Sequence, residues 1–293
     1  MSEMNATESL KARVQSADKL LAMPQVVFDV ARLLEDDAST PGQIASSLGR
    51  DPGLVALVLR LANSPVYAQS RSVDTVERAV NLLGRDTLQR LVVAGAITRA
   101  TGNIPDQERL PLEVFWRHSA YCAVIARHLA DRVLPRQSGS VFLAGLLHDL
   151  GKLLLFTQSP EAAHRAFLSS LDIGDGLSPQ GAEREQLGFD HAELGGALAA
   201  HWGLPDGLVA CVAGHHHPRS APEAYRTEVT LVHLANTGAH LAEIDSRDWA
   251  DAPPVDAKVW EMVGLGPDDL LQAVEAAQHE VVDVEALCAP GPE

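Results

Sequence analysis

Along most of the chain, apolar positions recur every three or four residues, a spacing that predicts helix rather than strand. MPQVVFDVARLLED sets Val26, Val27, Val30, Leu33 and Leu34 at helical spacing, with Pro24 at the entry. Thr40-Pro41-Gly42-Gln43 has the form of a capping box with proline in the first turn. Asp51-Pro52 opens GLVALVLRLANS, Gly84 closes VERAVNLLG, and Asp86 caps TLQRLVVAGAITRA. The first third therefore reads as short helices joined by tight turns. A polar interval, TGNIPDQERLP, separates them from a second region that starts with one long helix, LEVFWRHSAYCAVIARHLADRV. Further on, Asp190 stands at the N-cap of HAELGGALAAHWG, with Gly203 and Pro205 ending it. A helix through TEVTLVHLANTGAHLAE follows. The tail from Asp245 carries its own punctuation, DAPP and GLGPDD, and the amphipathic helix DLLQAVEAAQHEV.

One stretch breaks the alternation. VFLAGLLHDLGKLLLF, from Val141 to Phe156, is almost wholly apolar, as a buried helix is, yet His148 and Asp149 sit in its middle and Lys152 follows. Ionisable groups are costly to bury unless paired, hydrogen-bonded or metal-bound.

Composition narrows the reading. The chain has 293 residues, 46% hydrophobic and only 4% aromatic, enough for one large domain or two modest ones. Its formal charge is −16, from 23 basic and 39 acidic residues, which argues against a nucleic-acid partner. Cys122, Cys211 and Cys288 are far apart and suit neither a zinc site nor an oxidising compartment. The first residues, MSEMNATESLKARVQ, lack a signal-peptide core. No uninterrupted apolar run reaches the roughly 18 residues of a membrane span. A cytoplasmic protein without membrane association is the expectation.

The candidate chemistry lies in polar landmarks at helix ends or on apolar faces: His118, His148-Asp149, His191, His215-His216 and Asn236. Imidazole and carboxylate suit iron, manganese, zinc or nickel. Adjacent histidines point about 100° apart on a helix, so His215 and His216 converge only where the helix frays before Pro218. Taken singly, a histidine on an apolar face is a packed, hydrogen-bonded residue, and His128, His164, His201, His233, His240 and His279 are read that way.

The order of these motifs resembles the HDOD domain, a relative of the HD metal-dependent phosphohydrolases and the HD-GYP phosphodiesterases. The resemblance rests on MPQVVFDVARLL, DPGLVALVLRLANSPVYA and VERAVNLLGRDTLQRLVVAG, then FWRHSAYCAVIARHLA, VFLAGLLHDLGKLLLF, FDHAELGGALAAHWGLP and HHHP. It implies an all-α fold of two helical lobes. An HDOD domain would span 18–240, with an amino-terminal lobe over 18–103 and a degenerate HD-type core over 111–240. Residues 1–17 would form an extension and 241–293 a helical tail.

By the same resemblance, His118, His148, Asp149, His191, His215 and His216 are metal ligands, with Asn236 a weak one. Asn236 stands where the HD enzymes carry an aspartate, so Asp149 is the single matched carboxylate, and one divalent metal is better supported than two. A GYP element is absent after HHHP, where the chain reads RSAPEAY. The resemblance implies a regulatory module of two-component or cyclic-di-GMP signalling that binds signalling proteins in trans or a small phosphate-containing ligand. The alternative is a metal-dependent phosphohydrolase or phosphodiesterase acting on a nucleotide or other phosphate ester. Asp149 and Lys152 would then be catalytic. A third reading makes the cluster a metal-free hydrogen-bond network that holds helices in register.

Overall fold

In the computed structural model, every regular element among the described residues is a helix. The structure describes residues 3–17, 25–36, 38–63, 72–85, 88, 92, 95–96, 112–170 and 178–288. Pro24 and Asp86 lie outside them. Two compact units result: one of residues 21–103 with 282–293, the other of residues 1–20 with 104–281.

The first unit contains α2 (Gln25–Glu35), α3 (Pro41–Leu48), α4 (Pro52–Ala62) and α5 (Val76–Leu83). The apolar stripe of α2 packs inward through Val27, Val30 and Leu34. Thr40 makes the expected capping box with Gln43. Thr75 caps α5, and Gly84 ends it at φ +76°, a left-handed value open to glycine at little steric cost. Arg85 donates to the carbonyls of Leu33, Leu34 and Asp36, which the end of α2 leaves without helical partners.

The second unit holds α1 (Glu3–Ala17), α6 (Leu112–Val133), α7 (Ser138–Leu147), α8 (Leu150–Gln158), α9 (Pro160–Ser170), α10 (Pro179–Leu187), α11 (His191–His201), α12 (Asp206–Gly214), α13 (Arg226–Glu243) and α14 (Ala257–Val263); α15 (Pro267–Cys288) belongs to it up to Val281. Helix α6 is buried on nearly all sides because α7 and α13 both pack on it. Each fully buried leucine or isoleucine of this core contributes about 1.5–3 kcal/mol.

The apolar stretch around His148 is two helices, not one. After α7, His148 stays in the helical region, but Asp149 sits at φ −94°, ψ 9° and starts α8 without capping it. The stretch Ser138–Gln158 is long and apolar enough to cross a membrane by length and composition, and most of it is buried inside the protein. Gly151 of α8 meets Gly195 of α11 backbone to backbone: a Cβ on Gly151 would stand 1.9 Å from the His191 carbonyl oxygen and 2.7 Å from the Gly195 nitrogen. That close approach brings Asp149 and His191 together. Helices α1 and α10 carry weak apolar patterns and α14 is only seven residues long, and the sequence does not mark any of the three as a separate element.

Candidate metal centre

Asp149, 2% exposed, is the hub. Its Oδ1 lies 3.2 Å from His191 Nε2 and 3.8 Å from His215 Nε2. Its Oδ2 lies 3.4 Å from His148 Nε2 and 3.9 Å from His118 Nε2, and it accepts a 2.6 Å hydrogen bond from Lys152 Nζ. His216 Nε2 stands 2.8 Å from His191 Nε2, and His118 Nε2 stands 2.9 Å from Asn236 Oδ1. All the residues picked out from the sequence, His118, His148, Asp149, Lys152, His191, His215, His216 and Asn236, thus join one continuous set of contacts.

Local backbone geometry aims the rings. His148 Nδ1–H donates to the carbonyl of Gly145, three residues earlier, at 2.7 Å. His215 Nδ1–H donates in the same way to Val212, at 2.9 Å. Each bond turns the lone pair of Nε2 towards Asp149. Helix α12 ends at Gly214, so His215 and His216 leave the regular helix, and their ring centres come within 4.1 Å. His191 Nδ1–H donates to Glu183 Oε2 at 2.6 Å, and the same oxygen accepts the His191 backbone N–H at 2.7 Å. Next door, Arg184 Nε donates to Asp190, which also caps α11 in a box with Glu193. Two adjacent pairs therefore tie α10 to the start of α11.

Three buried polar atoms in this cluster have no hydrogen-bond partner: His148 Nε2, Asp149 Oδ1 and His215 Nε2. Each such atom costs about 1–3 kcal/mol. Two imidazole lone pairs and a carboxylate oxygen converging in a buried place suit a borderline divalent cation, which would satisfy all three at once. The donor separations are compatible with one ion, since ligands 2.0–2.1 Å from a tetrahedral zinc lie about 3.3 Å apart. His148, Asp149 and His118 form one group of closely spaced donors, and His191, His215 and His216 another.

The charges of Asp149, His148, His215 and His216 agree with this reading, and that of His191 does not. Burial pushes the Asp149 carboxyl up, but His148, Lys152 and His191 overrule it and hold it well below the usual range. Burial pushes His148 and His215 down, so both rings stay neutral, as ligands must be. Burial and the neighbouring rings push His216 down too. His191 goes the other way: burial and Lys152 oppose its charge, yet Glu183 and Asp149 raise it to about 9.

Three contributors escaped the sequence. Glu183 sits on α10, whose polar pattern PQGAEREQL gives no core signal. His240 and Glu243 end α13 one turn apart; the sequence reads His240 as a packed, hydrogen-bonded residue and does not single out Glu243. Glu243 Oε2 lies 3.2 Å from His118 Nδ1 and 3.7 Å from His240 Nδ1. Burial raises the Glu243 carboxyl, but its bonds to the two histidines bring it down to about 2. Beside the cluster, a cavity of about 520 Å³ is lined by His216, His217, Arg219, Ser220 and His233, among others.

Comparison with known proteins closes the description. The HDOD domain family model matches residues 20–218. A crystal structure assigned to the phosphohydrolases, from Shewanella amazonensis SB2B, superposes with a TM-score of 0.75 at 28% identity, over 95% of this chain and 98% of that one. An HDOD domain protein with unknown function from Geobacter sulfurreducens gives 0.74 at 24% identity, over 96% and 98%. An uncharacterized protein of Treponema pallidum (strain Nichols) is 25% identical over 233 residues, 78% of this chain. The chain spans only 44% of that relative's length.

Proposed function

Because the chain belongs to the HDOD domain family, we propose that it is a signalling module of the HD superfamily that holds one divalent metal ion on His148, Asp149, His191, His215 and His216. The observation that carries this reading is the convergence of three buried, unpartnered atoms, His148 Nε2, Asp149 Oδ1 and His215 Nε2. His118 and Asn236 hold each other beside this set. A single ion fits the charge: among the described residues Asp149 is the carboxylate with an oxygen against His148, His191 and His215, and Glu183 is spent on orienting His191. Such a supporting carboxylate raises the basicity of the ligand ring and fixes its tautomer. In this reading the domain acts by binding a protein of a two-component or cyclic-di-GMP pathway, or a small phosphate-containing ligand, in the cytoplasm. The ion, iron, manganese, zinc or nickel, fixes the bound surface.

The test is elemental analysis of the protein purified without a histidine tag, beside Asp149→Ala. Bound metal of which the variant loses one equivalent is the expected result. If no metal is bound and none is taken up on reconstitution, the cluster is a hydrogen-bond network and the reading is wrong.

A second reading, a phosphohydrolase or phosphodiesterase, is favoured by the cavity against His216, with Arg219 in its wall, and by Lys152 on Asp149. When bound, a divalent metal lowers the pKa of its water to about 7 and so supplies a nucleophile. In this case Lys152, 29% exposed, would neutralise a substrate phosphate and Arg219 would position it. Turnover of phosphate esters that vanishes in Asp149→Ala would establish it. Partner binding that survives the same change would support the module instead.

A further inference from the structure

The resemblance makes His118 a ligand of the inner cluster beside His148 and Asp149, and its ring also reaches Asn236 and Glu243. His118 Nε2 is 2.9 Å from Asn236 Oδ1 and 3.9 Å from the nearest Asp149 oxygen. An amide oxygen only accepts, so as placed it takes the Nε2–H of His118. This leaves Nδ1 as the nitrogen on the other side of the ring. That nitrogen faces the Glu243 carboxylate at 3.2 Å, with the His240 ring centre 4.8 Å from its own. At this distance the two groups are joined either by a proton on Nδ1 or by a cation that both of them ligate.

We propose that His118 Nδ1, His240 and Glu243 form a second divalent-cation site, separate from the Asp149 cluster and placed between α6 and the last turn of α13. One ligand atom from each residue falls within 4.8 Å of the others. The separations of His118 Nδ1 and His240 Nδ1 from Glu243 Oε2, 3.2 Å and 3.7 Å, bracket the edge of about 3.3 Å between donors around a tetrahedral zinc. His240 and Glu243 are three residues apart on one helix, a spacing that sets two side chains on the same face. Helix α13 ends at Glu243, and a helix C-terminus favours positive charge. Two imidazoles and one carboxylate suit zinc, nickel, cobalt or ferrous ion rather than magnesium or calcium. His240 is half exposed, which gives the ion a path from solvent. The site does not depend on the inner metal. Asn236 acquires a role in it as a positioning residue: by holding Nε2–H, it turns the coordinating nitrogen of His118 outward.

The experiment is a calorimetric titration of the metal-stripped, untagged full chain with Zn²⁺ alone, on wild type, His240→Ala, Glu243→Gln and Asp149→Ala. His240 is half exposed and Glu243→Gln keeps size and shape, so both variants should fold, as helix content will check. The proposal expects each of these two to lose one zinc equivalent, or to bind it at least about tenfold more weakly, the loss that even a supporting residue brings. Asp149→Ala should keep that equivalent; if it fails to fold, His216→Ala takes its place. Zinc bound by wild type that disappears in His240→Ala but stays in Asp149→Ala supports this site and removes the inner one. Identical stoichiometry and affinity in wild type, His240→Ala and Glu243→Gln overturns it, as does a wild type that takes no zinc. His118 is then simply a hydrogen-bonded link between Asn236 and Glu243.

Discussion

Both compact units cap helices with polar residues, but only the unit of residues 1–20 and 104–281 also sets polar residues at helix ends that do not cap, among the described residues. In the unit of residues 21–103, these residues serve their own helices. Thr40 and Thr75 cap α3 and α5, Asp51 accepts the N–H groups of Gly53 and Leu54, and Asn63 pairs with both the N–H and the carbonyl of Val73. In the other unit, Asp149 stands at the start of α8 and caps nothing, while His148 and His215, at the ends of α7 and α12, bond back only through Nδ1. Their remaining donor atoms point at one another. A polar residue that declines the capping bond offered by its position is available for chemistry, and this difference separates a structural end from a site.

The comparison is most severely broken at Gly151. Gly151→Ala forces a methyl group into the His191 carbonyl, so α8 and α11 must part. The expected loss is about 3 kcal/mol or more, at the upper end of overpacking, read by urea denaturation. A second break is Asp149→Ala. With metal at about a hundred times its Kd, wild type should gain about 2.7 kcal/mol and melt higher. The variant should lose the share of that gain supplied by the Asp149 cluster, and an equal gain in both would place the ion elsewhere.

Glu183→Gln sharpens the contrast through pH. In the metal-free protein, His191 is raised to about 9, so its contribution is complete below its unfolded value and lost as pH rises through 9. His148, His215 and His216 are depressed, so stability also falls as pH drops below about 6.5, where the unfolded chain takes up protons that the folded one refuses. Denaturation midpoints of wild type should therefore peak near neutrality. Glu183→Gln should cost about 1–3 kcal/mol at pH 7 and flatten the alkaline fall. A profile unchanged by the substitution would show that Glu183 does not hold the His191 proton. The smallest effect belongs to the other unit: Thr40→Ala should cost about 1 kcal/mol and leave metal uptake untouched.

Much of this was legible in the chain itself, because helix periodicity and capping act locally. The Thr40 box, the Asp190 cap and the extent of α6 stand where the residues indicate, and the order of the histidine motifs picked out side chains that do meet. What the pattern hid is equally physical. The break at His148 is masked by leucines on both sides, since an apolar run carries no mark of where its backbone turns. Glu183 lies in a polar helix whose two buried residues, Ala182 and Glu183, are adjacent and so set up no period to betray it. His240 and Glu243 share a spacing with countless solvated pairs, and only the packing of α6 against α13 gives them a third member.

The contact between Gly151 and Gly195 has one more consequence. No side chain lies between those backbones to repack, so the spacing of Asp149 and His191 is set before any ion arrives. Binding at this cluster should therefore be unlike that of a small zinc domain that folds around its ion. It should release heat and protons with almost no change in heat capacity and no gain in helix, because little apolar surface remains to be buried.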